Sequence, residues 1–111
     1  MDKLEKYREV VVDLIKGFTK PNPVYFSGID IQFVIDKEND HYFLYYVGWD
    51  KLERIHDCIF HLDIIDEKIW IQKDSTNVDL SMILVEKKVP KSDIVLGFQA
   101  PYKRRFTGFA A

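Results

Sequence analysis

Ile29-Asp-Ile-Gln-Phe-Val-Ile-Asp36, Lys37-Glu-Asn-Asp40 and His41-Tyr-Phe-Leu-Tyr-Tyr-Val47 together decide the fold. Ile29, Ile31, Phe33 and Ile35 alternate with Asp30, Gln32, Val34 and Asp36, the period of two that marks a half-buried strand. The polar tetrad that follows reads as a turn. His41 to Val47, Arg54 to Ile64 and Lys68 to Lys73 are three further strand-like runs, separated by turn-like Gly48 to Glu53 and Ile65 to Glu67. Strands joined this tightly must be antiparallel.

Two-residue turns at Glu38-Asn39 and Asp66-Glu67 set a register that opposes Phe33 to Leu44, Ile35 to Tyr42, Leu62 to Ile71 and Ile64 to Ile69. Tyr42, Leu44 and Tyr46, with Cys58, Phe60 and Leu62, then form the core face. The opposite face receives Val34, Phe43, Tyr45, Val47, Ile55, Ile59 and Trp70, among His41, Asp57, His61, Asp63 and Gln72. A lone antiparallel domain would leave that face polar. Large aromatics carry roughly 150 to 250 Å² each, so this group exceeds the apolar patch usual on a monomer. The expected cover is the C-terminal segment, a second copy or another protein. Phe43, Tyr45, Val47, Ile59, His61, Asp63 and Trp70 are the expected partner interface.

Outward from the sheet, Leu4, Tyr7, Val11, Leu14, Ile15 and Phe18 recur at spacings of three and four, which predicts an amphipathic helix from Asp2 to Phe18. It should stop near Gly17, because Pro21, Asn22 and Pro23 follow. Ser75 and Thr76 are the expected caps of a second helix carrying Val78, Met82, Val85 and Val89 and closed by Pro90. Ile94 to Phe98 is a further short apolar segment. The predicted fold is α+β: one domain, 1–111, with a four-stranded antiparallel meander and an N-terminal and a C-terminal helix on one face.

The 111 residues suffice for one core, and 47% hydrophobic and 14% aromatic content is globular rather than disordered. A formal charge of -2 gives the whole chain no attraction for phosphate backbones, so DNA contact should be weak and local. The single cysteine, Cys58, excludes an internal disulfide and fits a reducing cytosol, so a cytoplasmic location is expected. The mixed charges of the first residues and the short apolar runs give no secretion signal or membrane anchor.

The chemistry-bearing residues are few. The register sets His41 opposite His61 with Asp63 two residues on, a set able to bind zinc or iron. Histidines at the ends of apolar strands more often hydrogen-bond at an interface rim, so no metal, cofactor or catalytic residue is assigned. The glycines are scattered and build no phosphate loop. Cys58, expected in an apolar setting facing the core, reads as an inert thiol. Lys103, Arg104 and Arg105, flanked by Tyr102 and Phe106, are candidate contacts for phosphate or an acidic partner, with a solvated arm as the plainer reading.

Short phrases occur in order along the whole chain: Met1-Asp-Lys-Leu-Glu-Lys-Tyr-Arg8, Asp40-His-Tyr, Tyr46-Val-Gly-Trp49, Arg54-Ile-His56, His61-Leu-Asp-Ile64, Lys68-Ile-Trp-Ile-Gln72, Val89-Pro-Lys-Ser-Asp-Ile-Val-Leu-Gly-Phe98, Ala100-Pro-Tyr-Lys-Arg104 and Thr107-Gly-Phe-Ala110. With them the chain resembles the XisI-like family of fdxN element excision controlling factors. It departs from the family pattern at Glu67 and Lys88, where glycine is usual, and at Gln99, where histidine is usual. The resemblance implies a non-enzymatic accessory role in cyanobacterial programmed DNA rearrangement or a related two-gene module. It also implies a nuclease-like XisH-type protein as partner, beside self-association as a homodimer. The alternative expectation is a direct DNA-binding accessory factor for site-specific recombination.

Overall fold

The computed structural model describes residues 2–18 and 28–111. The elements are α1 (Lys3–Phe18), β1 (Ile29–Asp36), β2 (His41–Asp50), β3 (Glu53–Ile65), β4 (Lys68–Asp74), α2 (Leu80–Glu86), β5 (Ile94–Leu96) and α3 (Pro101–Arg104), with a 3-10 turn at Lys91–Asp93. The expected helix break at Pro21, Asn22 and Pro23 lies outside the described residues. Helix α1 opens on the Asp2 carboxylate, which accepts the Glu5 backbone N–H at 2.8 Å. None of the helices among the described residues is long and apolar enough to cross a membrane.

Strands β1 to β4 form the expected antiparallel meander, and both predicted hairpin registers hold: Phe33 faces Leu44, Ile35 faces Tyr42, Leu62 faces Ile71 and Ile64 faces Ile69. The predicted four-stranded sheet is incomplete. A fifth strand, β5, runs parallel to β4, with Ile69 opposite Ile94 and Ile71 opposite Leu96. A parallel neighbour needs a crossover, and α2 supplies it. Three consecutive apolar residues show no alternation, so Ile94 to Leu96 could not announce itself as a strand.

The register between β2 and β3 slips where Leu44 faces Phe60 but Tyr45 faces Cys58, leaving Ile59 as one extra residue. One extra residue reverses the alternation beyond it. Cys58 therefore shares the outer face with Tyr45, against the expectation that it faces the core, and His56 stands there opposite Val47. Ile55 and Asp57, expected outside, oppose Gly48 and Tyr46 on the helix side. Ile59 is partly buried and packs against the core.

Gly48 to Glu53 is not a long turn, because the ladder continues to Asp50 opposite Glu53 and only Lys51-Leu52 connect the strands. On its β1 side, Gly48 allows a close approach of β2 to β1: a Cβ there would stand 2.2 Å from the Gly28 carbonyl oxygen.

The second helix is shorter than expected and its cap differs. Asp79 is the N-cap, accepting the Ser81 N–H at 3.0 Å. Thr76 is instead held by Asp74, whose carboxylate also accepts the Leu80 N–H and keeps the intervening residues as a loop. The buried stripe is accordingly Leu80 and Leu84, while Val78 and Met82 are 48% and 44% exposed.

Both helices cover one face of the sheet, as expected. Tyr7, Val11, Leu14 and Ile15 of α1 join Leu80 and Leu84 over Tyr42, Leu44, Phe60 and Leu62 in one core cluster. Fully burying a side chain of this size contributes roughly 1.5–3 kcal/mol.

Candidate functional site

The face away from the helices carries a connected row of rings. Phe43 and His61, paired across β2 and β3, lie with ring centroids 4.2 Å apart. Tyr45 continues the row 6.3 Å from Phe43, and His56 lies 5.7 Å from Tyr45. Val47 is partly exposed beside them. At the hairpin tip Trp49 is 54% exposed, with the Arg54 guanidinium 5.5 Å from its ring, and Leu52 is 97% exposed. Five of the seven predicted interface residues, Phe43, Tyr45, Val47, His61 and Asp63, thus lie together, while the bulge takes Ile59 into the core packing.

Trp70 is separated from this row by its own cover. The Arg104 guanidinium sits 5.0 Å from its ring centroid and donates to the carbonyls of Gln99 and Gly97 at 3.1 and 3.3 Å. The C-terminal segment therefore covers the β4 end of the outer face and leaves the β2 and β3 part open. Of the predicted basic contacts, Lys103 and Arg105 are exposed, whereas Arg104 is occupied by the protein itself. Tyr102 and Phe106, at 70% and 75%, are among the most exposed large side chains.

At the other end of the row stands a polar cluster. Asp63, 5% exposed, receives His41 Nδ1 and His61 Nε2 on the same oxygen, Oδ1, each at 2.7 Å. Gln72 Nε2 donates to its other oxygen at 3.1 Å. Gln72 is the extra residue where the β3 and β4 register also slips, with Leu62 facing Ile71 and His61 facing Lys73. Gly97 makes room for this amide, since a Cβ there would lie 2.5 Å from Gln72 Oε1. Burial pushes the Asp63 carboxyl up, but the bonds from His41, His61 and Gln72 outweigh it and hold the group below the usual carboxylate range. The bond to Asp63 raises His41 above the ordinary imidazole value.

Two further clusters tie α1 to the sheet and the C-terminal segment. Arg8 Nε and Nη2 grip the Asp40 carboxylate at 2.8 and 3.1 Å, and Tyr42 donates to the same group at 2.9 Å. The Tyr7 hydroxyl donates to Asp93, which also pairs with Lys3 at 2.9 Å. Sequence reading missed both, because each joins residues far apart in the chain. Charged and hydroxyl-bearing residues amid helical apolar spacing, such as Tyr7-Arg8, were the available signal. Cys58 donates its thiol to the Phe60 carbonyl, and burial pushes its pKa up, so it remains a protonated, unreactive thiol despite facing outward.

The clusters fall on the phrases that run along the whole sequence: Tyr7 and Arg8, Asp40 to Tyr42, His61 to Asp63, Gln72, Asp93 and Arg104. A search of curated proteins finds no match. A XisI-like protein from Anabaena variabilis ATCC 29413 has a crystal structure similar to this one, with TM-score 0.90 and 41% identity over 97% of this chain and 98% of that chain. The fdxN element excision controlling factor XisI from the same organism is similar with TM-score 0.81 and 35% identity over 98% of each chain. The family model described as XisI protein matches residues 1–111, and the chain belongs to the XisI family.

Proposed function

We propose that this chain is a non-catalytic regulatory protein that acts by binding a separate protein through the outer face of β2 and β3. The observation that carries this is the set of partly exposed apolar side chains Phe43, Tyr45 and Val47 on one face of β2, opposite a face already filled by both helices. An apolar face of a two-layer domain is stabilised when another surface covers it. The partner we favour is a nuclease-like XisH-type protein, in excision control of the kind named for the Anabaena XisI or in a related two-gene module. Cys58, on the same face, is held protonated by burial.

Tyr45→Lys with Val47→Glu tests the reading. Far-ultraviolet circular dichroism should be unchanged, while co-purification of a co-expressed XisH-type protein is lost. Loss of mass in light scattering without loss of that partner would instead make the face a homodimer surface. Retention of both would overturn the docking face.

A further inference from the structure

The sheet register brings two imidazoles and one anchored carboxylate to a single point, His41 directly opposite Asp63 and His61 two residues before it on the same face. His41 Nδ1, His61 Nε2 and an oxygen of Asp63 all lie within 4.8 Å of one another. Both nitrogens lie 2.7 Å from Asp63 Oδ1. In a tetrahedral zinc site with bonds of about 2.0–2.2 Å, donor atoms sit about 3.4 Å apart. The three groups therefore reach ligand geometry by shifts on the order of 1 Å, within the reach of side-chain rotation.

We propose that His41 Nδ1, His61 Nε2 and Asp63 Oδ1 form a three-ligand site for a divalent transition metal, best matched by zinc, with its remaining position open on the outer face of the sheet. Two imidazoles and one carboxylate are a borderline donor set of the kind zinc takes, and they leave a fourth position for water or a partner's side chain. The surrounding arrangement suits a ligand set better than a chance contact. Gln72 holds Asp63 Oδ2 and leaves Oδ1 turned to the histidines. A hydrogen-bonded ligating carboxylate is the usual outer-shell arrangement of metal sites, and the Gln72 amide lies against Gly97, where a Cβ would stand 2.5 Å from Gln72 Oε1. Phe43 stacks on the His61 ring and fixes its plane. Exposure grades from the Asp63 side chain at 8% through His61 at 28% to His41 at 49%, so the cluster has a buried anchor and an open mouth.

Metal entry replaces two hydrogen bonds to Asp63. Each neutral imidazole then offers the lone pair of the nitrogen now facing Asp63 and carries its proton on the other ring nitrogen. The proposal is independent of the docking reading, because it concerns zinc alone and not a protein.

The test is titration of zinc sulfate into the metal-stripped full chain by calorimetry and by competition with a chromogenic chelator, with circular dichroism on every variant. The parent should take up one equivalent and gain thermal stability with zinc. His41→Asn and His61→Gln place an amide near the lost ring nitrogen, so each keeps a hydrogen bond to Asp63 while losing a good ligand. Each should weaken uptake by about a hundredfold or more, at least the upper end of what losing an outer-shell partner does. His56→Ala removes the third histidine of the same face and should leave uptake unchanged. No saturable one-equivalent uptake by the parent overturns the site, as does uptake that survives both His41→Asn and His61→Gln. Equal loss in His56→Ala overturns it too, since binding would then be a general property of surface histidines.

Discussion

Lys88 and Glu67 are the residues at which this chain strains its backbone most legibly. Lys88 has φ +73° just past the end of α2, where the Val89 N–H bonds the Leu84 carbonyl and the Lys88 N–H bonds the Val85 carbonyl. That pair of bonds is the Schellman ending, whose left-handed position favours glycine. Buried Val89 and Leu84 complete it with the apolar contact that usually accompanies the motif. Glu67, φ +59°, follows Asp66, φ +52°, in the two-residue turn between β3 and β4. Positive φ at both central residues is the pattern of a type I′ turn, for which Asp-Gly is preferred. These are two of the positions at which the resemblance drawn from the sequence implies glycine. Lys88→Gly and Glu67→Gly should each raise stability by roughly 0.5–1 kcal/mol, read as a higher urea midpoint with an unchanged slope. A lower midpoint in both would refute the strain argument.

At the scale of elements, α1 is fastened at both ends of the sheet, by Arg8 to the β1–β2 loop and by Tyr7 to the segment that leads into β5. Burial pushes the Asp93 carboxyl up, but its bonds from Tyr7 and Lys3 prevail and hold it below the usual carboxylate value. A carboxyl depressed in the folded state stabilises fully above its unfolded value near 4, and that contribution fades as pH falls through the lower folded value. Stability should therefore fall on acidification below about pH 4, and less steeply in Asp93→Asn than in the parent. Urea midpoints of both proteins at neutral pH and through the acid range measure this. Parallel acid profiles would remove Asp93 from the account. The β3 bulge at Ile59 is the other feature of this scale, because one extra residue decides which half of the strand shows its even-numbered side chains to the outer face.

For the whole molecule, the division of faces sets what it can bind. The helix side is closed by the core, and the outer face is open over β2 and β3 but covered near β4 by Arg104 on Trp70. With Arg104 occupied, the basic segment offers Lys103 and Arg105 to solvent beside Tyr102 and Phe106. On a chain of net charge -2, two such cations should give at most weak DNA retention. The affinity should fall with log salt at a slope of roughly -0.9 per phosphate, near -2 in total. Lys103→Ala with Arg105→Ala should abolish it, whereas a much steeper slope or sequence-specific binding would make direct DNA recognition the better reading. Arg104→Ala tests a separate property, since it uncovers Trp70.

Local sequence was enough to determine α1, the first four strands and two hairpin registers, because period, turn length and antiparallel pairing are properties of neighbouring residues. It also placed Phe43, Tyr45, Val47 and His61 on one outer face, since the extra residue is in β3 and leaves the alternation of β2 intact, and His61 lies on the β4-hairpin side of it. The cap of α2 was misread because Ser75, Thr76 and Asp79 are all competent caps, and only the grip of Asp74 on the loop selects among them. Tertiary structure alone decided the side on which Cys58 stands, the pairing of β5 with β4, and the use of Arg104 as a cover rather than a free cation. The sequence register grouped His41, His61 and Asp63 but set His41 opposite His61, whereas in the sheet His41 faces Asp63 and Phe43 faces His61. The meeting of both imidazoles and the Gln72 amide on one carboxylate was decided by the pairing of three strands. Periodicity in one segment carries no information about such a meeting, because it arises from contacts between segments distant in the chain.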